Sequence, residues 1–197
     1  MMIFWRRSLV MLSVPKTGTH SYIDHLQDQA DIVFKHPQNM KHMGLRKFTR
    51  RVLPVLSDTA ENLDYFAFIR HPSDWLWSWY SYRSRPEIRN RPSSTAGITF
   101  SDFIRAHLEE NPPAHASVGR QSSIIESTDP PFAVNNLYKY DNKNAANHYL
   151  SERLGVKVSP EKMLNKSPAL EKNISRQDLV LLETQLSKEF ELYASAK

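Results

Sequence analysis

Five residues, Pro15-Lys16-Thr17-Gly18-Thr19, stand between an apolar run at Ser8 to Val14 and a helix-like segment beginning at Ser21. The order of residue types suits the capture of an anion. A loop that leaves a buried strand and opens a helix aims several backbone N–H groups at one point, and the helix dipole favours negative charge there. Gly18 lets the backbone approach closely and Lys16 brings a full positive charge, while the hydroxyls of Thr17, Thr19 and Ser21 can donate to phosphate oxygens. The same residues also make a plain strand-to-helix turn, with Gly18 serving local geometry and Thr19 as cap. In the common kinase and ATPase loop, G-x-x-x-x-G-K-[ST], the lysine follows the last glycine. Here Lys16 precedes Gly18.

A second constellation lies in FAFIRHPSDWLWSWYSYRSR, where an apolar strand ends on Arg70, Pro72 opens a helix and Ser78 follows on that helix. Arginine binds phosphate through two parallel hydrogen bonds, and a serine on the adjoining helix can add a neutral one. A surface arginine and an incidental serine fit the same letters. Trp75, Trp77 and Trp79 read as packing residues.

Taken together, the loop and the Arg70 and Ser78 spacing resemble those of sulfotransferases that use 3′-phosphoadenosine-5′-phosphosulfate (PAPS), in family order and covering most of the chain. The resemblance implies that Pro15, Lys16, Thr17, Gly18, Thr19, His20 and Ser21 cradle the 5′-phosphosulfate. It implies further that Arg70 and Ser78 hold the 3′-phosphate, and that adenosine 3′,5′-bisphosphate (PAP) is the product. Tyr140-Asp141-Asn142 looks like the family's Tyr-Glu-Asp element, whose tyrosine lies near the adenine. The family's C-terminal glycine-rich loop has no counterpart, because Gly155 is the last glycine; Asn165, Lys166 and Ser167 occupy its place in the order. His20 stands where many members carry threonine, and the chain is short, which points to a small bacterial-type or carbohydrate-type relative. The implied reaction is sulfuryl transfer to a hydroxyl or amine of a small-molecule or carbohydrate acceptor, with Lys16 stabilising the leaving phosphate oxygen and with no obligatory metal.

The acceptor needs a base. Lys35-His36 and Lys41-His42 follow the second expected strand; His36 stands where a cytosolic-type base would, while similarity to small bacterial relatives favours His42. A surface or structural role fits either histidine equally. Arg83, Arg85, Arg89 and Arg91, in a polar loop with two prolines, suit an anionic or sugar acceptor or a solvated surface. Gln121 is a weaker acceptor-site candidate.

These residues require elements to position them. Apolar patterning predicts strands at Ser8 to Val14, Ile32 to Phe34 (buried), DYFAFIR and NNLYKYD. Helices are predicted from Ser21 to Ala30, with Tyr22, Ile23 and Leu26 on one face; along GLRKFTRRVLPVL; from Pro72; from a Ser101 or Thr99 cap; in part of SVGRQSSII; up to Gly155; and from a Ser175 cap through SRQDLVLLETQLSKEFELY. Alternation of strand and helix implies an α/β class. The family resemblance makes this a three-layer, P-loop-like fold with a central, mostly parallel sheet flanked by helices.

A chain of 197 residues suits a single domain spanning 1–197. It contains no cysteine, which excludes disulfides, thiolate nucleophiles and cysteine-bound metal, and is compatible with a cytoplasmic location. No signal peptide or membrane span is read. Lysine and arginine total 26 against 21 acidic residues. That excess favours an anionic ligand without signalling nucleic acid. A small P-loop kinase lacks a clear magnesium aspartate here, and a non-catalytic nucleotide- or RNA-binding module lacks its signatures.

Overall fold

The computed structural model describes residues 1–56, 63–128, 131–160 and 172–197. The chain divides into two compact units, one formed by Met1–Arg70, Arg120–Leu164 and Ser195–Lys197, the other by His71–Gly119 and Asn165–Ala194. Among the described residues no helix is long and apolar enough to cross a membrane.

The first unit is built on β1 (Met2–Phe4), β2 (Leu9–Met11), α1 (Thr19–Leu26), β3 (Ile32–Val33), α2 (Gln38–Lys41), α3 (Leu45–Arg51), α4 (Leu53–Leu56) and β4 (Asp64–Ile69). The second unit opens with α5 (Pro72–Arg83) and α6 (Phe100–His107), after which α7 (Ser122–Ile125), β5 (Glu126–Thr128), β6 (Pro131–Ala133), β7 (Asn136–Lys139) and α8 (Lys143–Leu154) return to the first. The helices α9 (Arg176–Gln185) and α10 (Ser187–Ser195) follow.

Five strands form a mixed sheet in the order β3-β1-β2-β4-β7. Its centre is parallel: Leu9 pairs with Asp64 and Met11 with Phe66, and Phe66 pairs in turn with Asn136. The β3-β1-β2 side is antiparallel, so the sheet is less uniformly parallel than expected. The difference arises from β1, which the sequence reading did not foresee. A single 3-10 turn at Trp5–Arg7 and a left-handed Ser8 (φ 48°) fold the chain back with no glycine or proline to announce it. The strand expected as buried at Ile32 to Phe34 is a half-buried edge strand.

Alternation along β4 sends its side chains to opposite faces. Phe66 and Phe68 join Tyr22, Ile23 and Leu26 of α1 and Ala146, Leu150 and Leu154 of α8 in the main core. On the other face Tyr65 meets Phe48 of α3 edge-on, with ring centroids 6.1 Å apart. Helices therefore flank the sheet. The expected helix through GLRKFTRRVLPVL is two pieces, α3 and α4, parted at Val52 shortly before Pro54. The small β5-β6 hairpin was also not anticipated.

The second unit packs Trp75 and Leu76 of α5 against Phe100, Phe103 and Ile104 of α6 and Leu182 of α9. Thr99 caps α6 and Ser175 caps α9, each accepting from the backbone N–H three residues on. The long C-terminal helix expected from its periodicity breaks at Leu186 into α9 and α10.

Candidate anion-binding site at the strand ends

The three adjacent parallel strands β2, β4 and β7 deliver the predicted loop, arginine and tyrosine at their carboxyl ends, where ligands of α/β sheets bind. After β2 the chain stays buried through Val14, held by a hydrogen bond from Leu12 N–H to Phe66 O (2.9 Å), and then turns. Lys16 and Gly18 both adopt left-handed backbone, with φ of 68° and 69°. Thr17 is fully buried and donates its hydroxyl to Val14 O (2.9 Å), which fastens the turn from inside. Gly18 is the N-cap of α1 and brings no side-chain cap, and within the first turn Ser21 N–H donates to Gly18 O at 3.0 Å. Helix α1 begins at Thr19, two residues earlier than the patterning suggested.

Arg70 follows β4 directly. Its Nη1 donates to Lys16 O at 3.4 Å, and its guanidinium lies 5.5 Å from the ring centre of Tyr140. Tyr140, just past β7, packs against the loop so closely that a Cβ on Gly18 would fall 2.9 Å from its Cε2. Lys143 at the start of α8 places its Nζ 4.4 Å from the same ring. Three segments remote in sequence therefore meet around one glycine.

Gln121 makes Arg70 rigid. Its side-chain amide accepts from Arg70 N–H (3.0 Å) and donates to Arg70 O (2.8 Å), and the residue is fully buried. That placement suits a positioning role rather than acceptor contact.

On the loop's other flank, His42 caps α2 and bonds Ser13 O through Nδ1 at 2.7 Å. A carbonyl only accepts, so Nδ1 carries the proton and Nε2 keeps its lone pair. Burial pushes the His42 pKa down to about 4, aided by the Lys41 and His20 charges and opposed by the bond to Ser13. Lys41, itself buried, sets its Nζ 2.7 Å from His20 Nε2. Desolvation lowers the pKa of both, and Lys41, His36 and Lys16 depress His20 further. His36 is exposed.

Three further predicted residues, Ser78, Arg83 and Arg85, belong to the second unit. Ser78 is buried on α5 in the second unit. Arg83 commits its guanidinium to the carbonyls of Ala114, His115 and Ser117 at 2.8–3.0 Å, where it clamps a loop. Arg85 rests over the Tyr82 ring at 4.8 Å. Asn165, Lys166 and Ser167 fall outside the described residues. The sequence reading missed Lys41 and Lys143 as members of the site. Lys41 had a signal, since it precedes His42 in a Lys-His pair; Lys143 is marked only by its spacing from Tyr140.

Comparison of the chain with protein-family models, with curated proteins and with solved structures finds no match.

Proposed function

We propose that the protein is a sulfotransferase that moves the sulfuryl group of PAPS to a hydroxyl or amine of a carbohydrate or small-molecule acceptor. The observation that carries this reading is the meeting of Lys16, Gly18, Arg70 and Tyr140 at the ends of three adjacent parallel strands. The sequence resemblance assigns the same residues to one nucleotide. A P-loop-like description of the sheet belongs to the same proposal.

The residues fit such a ligand chemically. The start of α1 and the left-handed loop offer backbone donors to the 5′-phosphosulfate, and Arg70 offers a guanidinium to a 3′-phosphate. The Tyr140 ring supplies an apolar face beside them. When bound, PAPS supplies an activated sulfuryl group and a 3′-phosphate handle. Lys16 sets an ammonium where negative charge builds on the departing phosphate oxygen. His42 receives the acceptor proton at Nε2, held in that tautomer by Ser13 O, and its lowered pKa keeps it unprotonated at neutral pH. His36 is the alternative base. Lys41 adds positive charge beside the loop.

Thermal denaturation with nucleotides tests the proposal without knowledge of the acceptor, because a ligand of the folded state raises the melting temperature. Adenosine 3′,5′-bisphosphate should stabilise the protein in the absence of magnesium, and ADP far less, since ADP leaves Arg70 without a phosphate. Arg70→Ala should remove most of the difference. Equal shifts with both nucleotides would sink the reading, and a larger shift with ATP and magnesium would favour a kinase.

A further inference from the structure

Two cations share one aromatic ring at the carboxyl ends of β4 and β7. Arg70 leaves β4 with its guanidinium 5.5 Å from the centre of the Tyr140 ring, and Lys143 sets its Nζ 4.4 Å from the same point. All three residues belong to the first unit. Each cation is anchored on its backbone side. Gln121 bonds the Arg70 backbone at N–H and at O, and Lys143 is fixed as the first residue of α8. The ring itself is wedged against the Lys16 loop, where a Cβ on Gly18 would fall 2.9 Å from Cε2 and 3.1 Å from the phenol oxygen.

This pair is placed against its own electrostatic preference. Like charges over one ring repel. The N-terminus of a helix carries positive partial charge, so a lysine at the first position of α8 adds to that charge, and the first turn of α8 holds no acidic residue to offset it. Among the described residues both side chains are held by neutral groups, Arg70 by Lys16 O at 3.4 Å and by the ring, Lys143 by the ring. Contact with a ring face steadies a cation through its charge and leaves N–H groups to donate elsewhere. One dianion bonded to both side chains relieves the repulsion and the helix-end charge together. A phosphate monoester suits, because its second pKa of about 6 gives it nearly two negative charges at neutral pH. The guanidinium fork takes two of its oxygens and the ammonium a third. A phosphodiester or a sulfate ester carries a single charge and leaves one cation unbalanced.

We infer that Lys143 is a second ligand of the 3′-phosphate, which it clasps together with Arg70 over the Tyr140 ring, and that the pair selects nucleotides bearing a phosphate monoester at the 3′ position. This rests on the nucleotide reading proposed above, which gives that phosphate to Arg70 and gives Lys143 no part in holding it.

Calorimetric titration of the full chain with adenosine 3′,5′-bisphosphate and with adenosine 5′-monophosphate tests the assignment, because the two ligands differ only in the 3′-phosphate. The parent should bind the bisphosphate tighter by about tenfold or more. Lys143→Gln should weaken the bisphosphate roughly fivefold or more while moving the monophosphate less than twofold, and Lys143→Arg, which keeps the charge, should retain the preference. Lys143→Met takes the place of Lys143→Gln if near-ultraviolet circular dichroism shows the latter misfolded. A parent with no preference overturns the nucleotide reading and the Lys143 assignment together. A parent preference that survives intact in Lys143→Gln overturns the Lys143 assignment alone and leaves the nucleotide reading standing. An equal loss for both nucleotides, or a loss in Lys143→Arg as complete as in Lys143→Gln, also overturns the assignment, the first marking a general charge effect and the second a structural role.

Discussion

Lys16 and Ser8 are the two residues other than glycine with positive φ among the described residues, and at Lys16 that backbone lies inside the candidate site. An L side chain in this conformation costs roughly 1–2 kcal/mol, which glycine escapes. Lys16→Gly should therefore be at least as stable as the parent and more stable than Lys16→Ala by about 1 kcal/mol in chemical denaturation. Under the proposed sulfuryl transfer both should lose turnover by roughly a hundredfold or more, because each removes the ammonium assigned there to the leaving oxygen. A Lys16→Gly protein that turns over normally would remove Lys16 from the chemistry. His42 yields a prediction with a sign set by its environment. Its folded pKa, about 4, lies below the unfolded value of 6.5. The unfolded chain therefore binds the proton more readily between these values, so stability is fully present above pH 6.5 and drains away as pH falls toward 4. His42→Asn, which keeps a donor for Ser13 O but cannot titrate, should show a shallower fall of melting temperature over that window. An unchanged slope would mean that His42 is not the group being protonated.

At the scale of elements, the contact between Gly18 and Tyr140 joins the α1 loop to the end of β7. Gly18→Ala combines an unfavourable left-handed φ with a Cβ thrust toward the Tyr140 ring, so the ring must yield. Affinity for adenosine 3′,5′-bisphosphate should fall at least tenfold, with most of the fold intact by circular dichroism. Retained affinity would separate Tyr140 from the nucleotide. Gln121→Leu strips both partners from the Arg70 backbone in a buried place. Leaving that N–H and C=O unsatisfied should cost on the order of 2–4 kcal/mol in denaturant unfolding. The contrast between Gly18 and Gln121 also explains what the sequence could disclose. Helices such as α1, α5 and α8 were legible because their signals are local: apolar periodicity, Pro72 in the first turn, and Gly155 in left-handed backbone at the end. The loop stood out through the order of its residue types, whereas Arg70 and Tyr140 were singled out through the family resemblance. By contrast, β1 was hidden because a turn at Trp5–Arg7 gives no compositional warning, and three residues are too few to show alternation. The pairing of Gln121 with Arg70, of Lys41 with His20, and of Arg83 with the 114–117 backbone depends on neighbours distant along the chain, which no local pattern encodes.

On the scale of the molecule, the first unit is discontinuous in sequence: the His71–Gly119 stretch of the other unit interrupts it between β4 and α7. The parallel pairings that carry the site, Leu9 with Asp64 and Phe66 with Asn136, join distant parts of the chain. Pairings of this kind form slowly, since each closes a long loop before any contact compensates for the lost freedom. Time therefore enters the description of the site. A refolding chain that has regained helix content in α1 and α8 still lacks the meeting of Lys16, Arg70 and Tyr140 until β2, β4 and β7 lie side by side. If adenosine 3′,5′-bisphosphate is the ligand, its capture in a stopped-flow experiment should trail the far-ultraviolet signal and keep pace with burial of the Phe66 and Tyr138 rings. The nucleotide would then act as a clock for completion of the sheet, and a fragment ending before β7 would never start it.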